Sequence, residues 1–231
     1  MELTIIIPCF NERATVAKAI EEAKALKIDK EIIVIDNCST DGSREILEFL
    51  NDRSLQIVYQ PRNYGYGQSV KTGISLSRGN FIYVQYSDLE YGIECVYGMI
   101  DIAKKENLDA VFGSRLYDRR RNIFALIKER PYYLGTIIAT FLINLLYGRR
   151  FSDIIGTRLY RSSSIKNINI ASSGMSFDFE VVSKLCKNRL KTKEVPVTYK
   201  PRSVKEGKKI KPMDIIPAIL TIFKIKFSGK A

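Results

Sequence analysis

The sequence predicts an α/β fold: a mostly parallel sheet flanked by helices, followed by a helical and basic C-terminal part. Three observations carry this. Short β-branched apolar runs recur through the first half, and they are continuous rather than alternating, as expected of strands buried on both faces. Segments with helical spacing of apolar residues separate them. Strand and helix alternate as far as Gly113, which calls for parallel strands with helices on both faces of the sheet. A chain of 231 residues suits one large domain, or one domain with an appendage, and a 45% apolar share allows a sizeable core.

Leu3 to Ile7 is the first strand. Asn11 to Thr15 interrupts it and opens a helix with apolar positions at Val16, Ala19, Ile20, Ala23 and Leu26. Glu31 to Ile35 is the second strand. Ser39, Thr40, Asp41 and Gly42 form its turn, and Asp41 or Ser43 caps a helix running to Leu50. Leu55 to Tyr59 is the third strand, Gly65 to Ser77 a loop entering a helix, and Gly79 the stop of that helix. Phe81 to Gln85 is the fourth strand, Ile93 to Lys105 a helix and Ala110 to Gly113 a short strand.

The second half reads differently. Arg119, Arg120 and Arg121 open a loop, and Tyr132 to Tyr147 is an uncharged apolar helix flanked by Arg130, Arg149 and Arg150. It is shorter than the ~20 residues that cross a bilayer. Two readings stay open for it, a core helix or a helix lying along a membrane interface. Phe177 to Leu185 is a helix, Glu194 to Tyr199 a strand, and Asp214 to Phe227 an apolar stretch interspersed with Lys224 and Lys226. That last pattern fits interfacial docking, and equally a helix packed on the sheet.

The formal net charge of +12 favours anionic partners: nucleotide phosphates, nucleic acid or an anionic membrane surface. Nucleic acid is disfavoured, because the basic groups lack the interleaved aromatics of a stacking platform. The chain has no histidine, which excludes the usual neutral-pH base and the commonest zinc ligand, so acid–base work falls to carboxylates, Lys or Tyr. Cys9, Cys38, Cys95 and Cys186 form no C-x-x-C pair; Cys9 and Cys38, both at strand ends, are expected to be buried thiols. The first residues enter a strand without a charged segment and apolar run ahead of it, so a cytoplasmic location is expected.

Three segments carry candidate chemistry. Gly65-Tyr66-Gly67 follows a strand and precedes a helix, yet the third glycine of a dinucleotide fingerprint is missing, and a glycine-permitted tight turn explains it better. Asp88 and Glu90 lie two apart at a strand exit, on one side of extended backbone. Two hard oxygen donors beside a diphosphate suit Mg²⁺ or Mn²⁺. Lys187 to Lys211 holds ten Lys/Arg against Glu194 and Glu206, with Arg202, Lys205, Lys208 and Lys209 around Gly207. Such a loop can clamp phosphate through an Arg fork and Lys point charges.

In order along the chain, these residues resemble family 2 glycosyltransferases, most closely their polyprenol-phosphate (dolichol-phosphate mannose synthase-like) branch. The matching pieces are Ile6-Ile7-Pro8-Cys9-Phe10-Asn11-Glu12, Glu31 to Ser43, Asn63-Tyr64-Gly65-Tyr66-Gly67, Arg78-Gly79-Asn80 and Gly113-Ser114-Arg115. Asp153, Gly156 and Arg158 continue the series, then Phe177-Asp178 to Glu180, Glu194 to Val197, and Arg202. The resemblance implies a GT-A fold over residues 1–211, with a nucleotide-binding half (1–115), an acceptor half (116–211) and an amphipathic tail (212–231). It implies inverting, metal-dependent transfer from a nucleotide-sugar donor to a membrane lipid phosphate, by a protein peripherally attached to the cytoplasmic face. Pro8, Phe10, Glu12, Ile35, Asp36, Asn37, Ser87, Asp88 and Arg115 would hold the donor, and Asp88 and Glu90 the Mg²⁺ or Mn²⁺. Arg130, Asp178, Arg202 and Lys208 would hold the acceptor phosphate. Asp88, Asp153 and Arg202 would carry the catalysis, with Asp153 orienting the acceptor.

The chain departs from the family pattern at Tyr86, where the first acid of D-x-D is usual, at Asn37, where a second Asp is usual, and at the closing R-x-x-G-x-S-K, which reads Arg202 to Lys208. Two rival readings follow: a transferase acting on a sugar or protein hydroxyl, with Asp153 or Asp178 as base, and a non-catalytic nucleotide-sugar-binding module.

Overall fold

A computed structural model describes residues 1–50, 52, 54–117, 133–202 and 215–228. Among these, seven strands form one sheet in the order β3-β2-β1-β4-β6-β5-β7. They are β1 (Leu3–Cys9), β2 (Lys30–Asp36), β3 (Leu55–Tyr59), β4 (Phe81–Val84), β5 (Ala110–Ser114), β6 (Arg158–Arg161) and β7 (Thr192–Pro196). The helices are α1 (Val16–Ala25), α2 (Ser43–Leu50), α3 (Tyr66–Leu76), α4 (Cys95–Lys105), α5 (Tyr133–Tyr147), α6 (Ser162–Lys166), α7 (Phe177–Lys187) and α8 (Ile215–Phe227).

The sheet is parallel except at β6, which runs antiparallel to both β4 and β5. Periodicity did not mark β6 as a strand. It reads Arg-Leu-Tyr-Arg, and its charged ends mask a segment whose Arg158 is nonetheless 1% exposed. The apolar runs do what continuous runs should. In β1, Leu3, Ile5 and Ile7 join the core under α1 and α4, while Ile6 joins the core on the other face with α3, α5 and α7. Ile32 and Val34 of β2 split from Ile33 and Ile35 in the same way.

Several expectations shift in detail. Gly79 does not end α3 through a left-handed cap; α3 ends at Leu76. A Cβ at Gly79 would stand 2.5 Å from the Thr4 amide nitrogen, so the glycine serves close approach to β1. Cys38 is half-buried rather than buried. Gly113 and Gly156 touch: a Cβ on Gly156 would lie 1.6 Å from the Gly113 carbonyl oxygen, where Gly113 N–H donates to Thr157 at 2.8 Å. The Gly113-Ser114-Arg115 and Asp153-to-Arg158 segments are therefore two sides of one backbone crossing.

α7 begins with Asp178 and Glu180 in its first turn, where the helix dipole favours anions. Glu180 accepts the amides of Ala171 (2.9 Å) and Ser172 (2.7 Å) and pairs with Lys184 at 2.7 Å. Burial pushes its carboxyl up, but Lys184 and those two amides outweigh burial and hold it down to about 2. A depressed carboxylate stabilises the fold above its usual value of 4.5 and loses that contribution as pH falls toward 2. Glu180→Gln is expected to destabilise by about 1–3 kcal/mol at neutral pH. Thermal melts across pH should show the difference from wild type closing as acid protonates the carboxylate.

Candidate active site

The strand order reverses between β1 and β4, and the loops leaving the carboxyl ends of β1, β2 and β4 meet there. That is where open α/β sheets form ligand crevices. The first two loops brace each other. Asn11 takes positive φ (52°); its N–H donates to Ser39 Oγ at 2.9 Å and its Oδ1 accepts the Thr40 amide at 2.8 Å. Glu12 N–H donates to Ser43 Oγ at 2.8 Å, and Arg13 N–H to Asp41 at 3.0 Å. Asp41 also accepts both the amide and the hydroxyl of Ser43, fixing the start of α2. The polar residues of the two motifs are thus each other's hydrogen-bond partners.

Of the expected donor contacts, Pro8 and Phe10 are half-buried at this mouth, and Ser87 Oγ donates to the Pro8 carbonyl at 3.0 Å. Ile35 is fully buried in the core. Asp36 is also fully buried: it accepts Ser39 N–H at 3.1 Å and Arg44 Nε at 2.7 Å, and Arg44 holds the Gln60 carbonyl as well. Asn37 accepts the Tyr64 amide and donates to Asn63 Oδ1, each at 2.9 Å, which ties the loop after β2 to the loop before α3. An Asp there would lose the second bond. Gly65 (φ +91°) and Gly67 face Ser173 and Phe177, where a Cβ would come within 2.6 Å, so this turn is a seat for the α7 loop rather than a phosphate cradle.

The chemistry concentrates on four side chains. Arg202, beyond β7, forks onto Glu12 (Nη1–Oε2 2.8 Å, Nη2–Oε1 3.0 Å) and reaches Asp88 Oδ2 at 3.6 Å. Glu90 accepts the Tyr199 hydroxyl at 2.7 Å and the Arg202 amide at 2.8 Å. Asp88 accepts Glu90 N–H at 3.0 Å. Burial pushes the Asp88 carboxyl up to about 6, with Glu90 and Glu12 adding to the rise against the pull of Glu90 N–H and Arg202. Glu12 and Asp88 therefore face the Arg202 guanidinium, and Glu90 holds its backbone amide. Beside them runs a tyrosine wall: Tyr66–Tyr86, Tyr86–Tyr91 and Tyr91–Tyr199, with ring centroids 5.9, 5.7 and 5.0 Å apart. Tyr86, at the usual acid position, receives hydrogen bonds from Arg158 and from Tyr66, each at 3.3 Å, and burial pushes its phenol up to about 12.

Three expected site residues are drawn into ion pairs against the tyrosine wall. Asp153 is fully buried, bound in a fork by Arg115 (2.6 and 3.0 Å), which is itself 6% exposed and stacks over Tyr133 and Tyr199. Burial disfavours its charge, yet Arg115 holds the Asp153 carboxyl below its usual range. Glu194 grips the Ser152 and Asp153 amides at 2.7 and 2.8 Å. Asp178 is buried against Arg158. These ion pairs brace β5, β6 and α7, so in this structure neither Arg115 nor Asp153 nor Asp178 presents an open charge to the crevice. Arg130 and Lys208 lie outside the described residues, as do Arg119–Arg121, Lys205 and Lys209. Sequence reading missed Tyr199 and the Glu12–Arg202 pairing; the only signal for the pairing was an acid and a base matching the same ordered motif set.

Among the described residues no group of three or more His, Cys, Asp or Glu side chains is arranged to hold an ion unaided. The Asp88–Glu90 pair nonetheless fits Mg²⁺ or Mn²⁺. Its donors are all oxygen, a cationic group already stands against Asp88, and a diphosphate and water would complete an octahedral shell.

A glycosyl transferase family 2 model matches residues 4–185. The chain belongs to that family. Among its relatives are a low-salt glycan biosynthesis hexosyltransferase, Agl6, from Haloferax volcanii, 28% identical across 87% of this chain and 48% of that protein. Another is a dodecaprenyl-phosphate galacturonate synthase from Rhizobium johnstonii, 26% identical across 74% of this chain and 51% of that protein. The chain spans about half the length of these two relatives. The fold matches glucosyl-3-phosphoglycerate synthase from Mycobacterium tuberculosis, solved with Mn²⁺, UDP and phosphoglyceric acid. That TM-score is 0.70 at 16% identity, covering 99% of this chain and 79% of that one. It also matches S. aureus TarS solved with UDP-GlcNAc (TM-score 0.63, 15% identity, 97% and 66% covered). The family 2 chain thus carries the GT-A architecture, with β6 as its reversed strand.

Proposed function

We propose that this family 2 chain transfers a sugar from a nucleotide-sugar to a lipid phosphate at an anionic membrane surface, with Mg²⁺ or Mn²⁺ held at Asp88 and Glu90. The observation that carries the reading is the convergence of three acids on Arg202 at the sheet's switch point, Glu12 and Asp88 at its guanidinium and Glu90 at its backbone amide. The ion, when bound, would neutralise the charge developing on the departing diphosphate. The acceptor phosphate oxygen attacks the anomeric carbon as the bond to the diphosphate breaks, and the nucleoside diphosphate leaves with that electron pair. The acceptor is anionic near neutral pH, so no base has to remove a proton. This suits a crevice in which Asp153 and Asp178, the carboxylates a hydroxyl acceptor would need, are each locked to an arginine. Arg202, with Arg130 and Lys208, would face the acceptor phosphate. On this reading residues 1–115 hold the donor, 116–211 the acceptor, and 212–231 belong to the membrane side.

The relative from Rhizobium johnstonii supports a polyprenol phosphate acceptor, and the surface supports the membrane. α8 packs on α7 and α5. Leu134, Ile138, Phe141 and Leu145 on α5, and Ile216, Leu220, Phe223 and Phe227 on α8, recur at i, i+4, i+7, i+11 and are 37–74% exposed. Exposed Arg150 and Lys224 flank them. No helix among the described residues is long and apolar enough to cross a membrane. Two short helices with bare apolar stripes and cationic flanks suit burial at the headgroup level of an anionic bilayer.

The test is transfer from UDP- or GDP-sugars to polyprenol phosphate in anionic vesicles. Wild type is expected to sediment with the vesicles and glycosylate the lipid. Leu145→Glu with Leu220→Glu should lose most sedimentation and vesicle transfer while retaining donor binding. Transfer to free sugar hydroxyls without vesicles would overturn the lipid reading.

A further inference from the structure

The strap from Tyr199 to Arg202 is held by the same carboxylates that the proposed function assigns to the ion. Both Glu90 oxygens are engaged by it, Oε2 by the Tyr199 hydroxyl and Oε1 by the Arg202 amide. The Lys200 amide donates to the Glu90 carbonyl at 2.8 Å, and Tyr91 pairs with Tyr199 in an isolated antiparallel bridge. At the strap's end the Arg202 guanidinium stands between Glu12 and Asp88. The seat is imperfect: Arg202 Nε is buried without a hydrogen-bond partner among the described residues, and its contact with Asp88 is a loose 3.6 Å. A buried N–H left unpaired works against the seated position, so a better partner can draw the side chain away.

We propose that Arg202 and the divalent cation are alternative occupants of this carboxylate cluster, so that the ion's arrival unhooks the 199–202 strap. The inference rests on the reading of Asp88 and Glu90 as ion ligands. Each Glu90 oxygen already accepts one hydrogen bond from the strap, so an ion there competes with the Tyr199 hydroxyl and the Arg202 amide for the same carboxylate, and a guanidinium and a divalent ion repel each other across Asp88. Charge supplies the order of events. Without an ion, Arg202 offsets part of the acids' charge and occupies the space between Glu12 and Asp88. With ion and diphosphate bound, the ion offsets the acids, and the diphosphate oxygens offer the guanidinium a competing anionic partner for which its planar fork is well matched. Arg202 then has two stations, one on the acids and one on phosphate, and acceptor recognition follows donor loading.

The test is titration calorimetry with Mn²⁺ alone on wild type, Arg202→Gln, Tyr199→Phe and Asp88→Asn. An ion that displaces a strap seated nine-tenths of the time binds about tenfold more weakly than its intrinsic affinity. Arg202→Gln is expected to bind Mn²⁺ about tenfold more tightly than wild type. Tyr199→Phe, which changes no charge, should bind it several-fold more tightly, and Asp88→Asn should lose binding. Hydrogen exchange at the Arg202 amide should quicken when Mn²⁺ is added to wild type. Tightening in Arg202→Gln alone, with Tyr199→Phe and the exchange rate unchanged, would overturn the proposal, because the guanidinium would then act only as a nearby charge. Equal affinity in wild type and both strap variants would overturn it too. Mn²⁺ binding that survives Asp88→Asn, or is absent from every protein, would overturn the ion reading and this proposal with it.

Discussion

Asp88→Asn is expected to lower sugar transfer by at least about a hundredfold while leaving the fold intact, because charge stabilisation at the breaking bond is usually the largest catalytic contribution. The substitution is nearly isosteric, and its remaining oxygen can still accept the Glu90 amide that Asp88 now binds at 3.0 Å. The native carboxylate is held at the fold's expense. Its pKa is raised to about 6, so the folded protein binds this proton more tightly than the unfolded chain does. Its ionised form therefore weakens the unliganded fold above that pH, and the penalty fades as pH falls toward 3.8, the ordinary value. Asp88→Asn should accordingly melt no lower than wild type at neutral pH, and higher if burial dominates. Initial rates at saturating donor, with melting curves on the same samples, check both halves. Wild-type turnover in the variant would remove Asp88 from the chemistry.

The second large effect is structural. Asp153→Ala is expected to destabilise the protein by about 3–5 kcal/mol, since it removes the carboxylate that forks onto the buried Arg115 guanidinium. It also takes an acceptor from the Ile155 amide, which Asp153 now binds at 3.0 Å. Replacing both partners with apolar residues, Arg115→Met with Asp153→Leu, should recover much of the stability, and a double-mutant cycle by denaturant melts measures the coupling. If Asp153→Ala melted like wild type yet lost transfer, Asp153 would belong to the reaction rather than to the scaffold.

Much of this architecture was legible in the residues, for identifiable reasons. Strands β1, β2 and β4 are buried on both faces, so each had to be a continuous apolar run, and the runs appear where expected. The stripe Val16, Ala19, Ile20 and Ala23 is the buried face of α1. β6 was not legible, because its burial is secured by an ion pair: Arg158 is hidden by Asp178, a residue distant in sequence, and no local pattern reports that. The same holds for Asp153, which as a lone acid in a motif looks like catalysis and is accounted for only when Arg115 is seen folded over it.

The crevice was half legible. Position along the sheet put Asp88, Glu90 and Glu12 at strand exits, and the ordered motifs brought in Arg202. What spacing did not convey is that the motif polar residues spend themselves on one another. Asn11 and Ser39 bond each other's loops, Asn37 anchors Asn63 and Tyr64, and Asp36 is sealed by Arg44. Such residues shape the mouth through one another, and spacing alone does not show which neighbour a short polar side chain will bond. Tyr199 carries no motif signal, yet its hydroxyl is one of the two hooks on Glu90.

The central claim, that the acids at the mouth of β1 and β4 hold the ion that loads the donor, is met most directly by anomalous diffraction from a crystal soaked with Mn²⁺ and a nucleoside diphosphate. The expected result is an ion peak at about 2.1 Å from an Asp88 carboxylate oxygen. Diphosphate oxygens should share the ion, and the Arg202 guanidinium should have moved off Glu12 and Asp88. An ion bound away from Asp88, or nucleotide seated in the crevice while the Glu12–Arg202 fork stays closed and no ion is present, would contradict it.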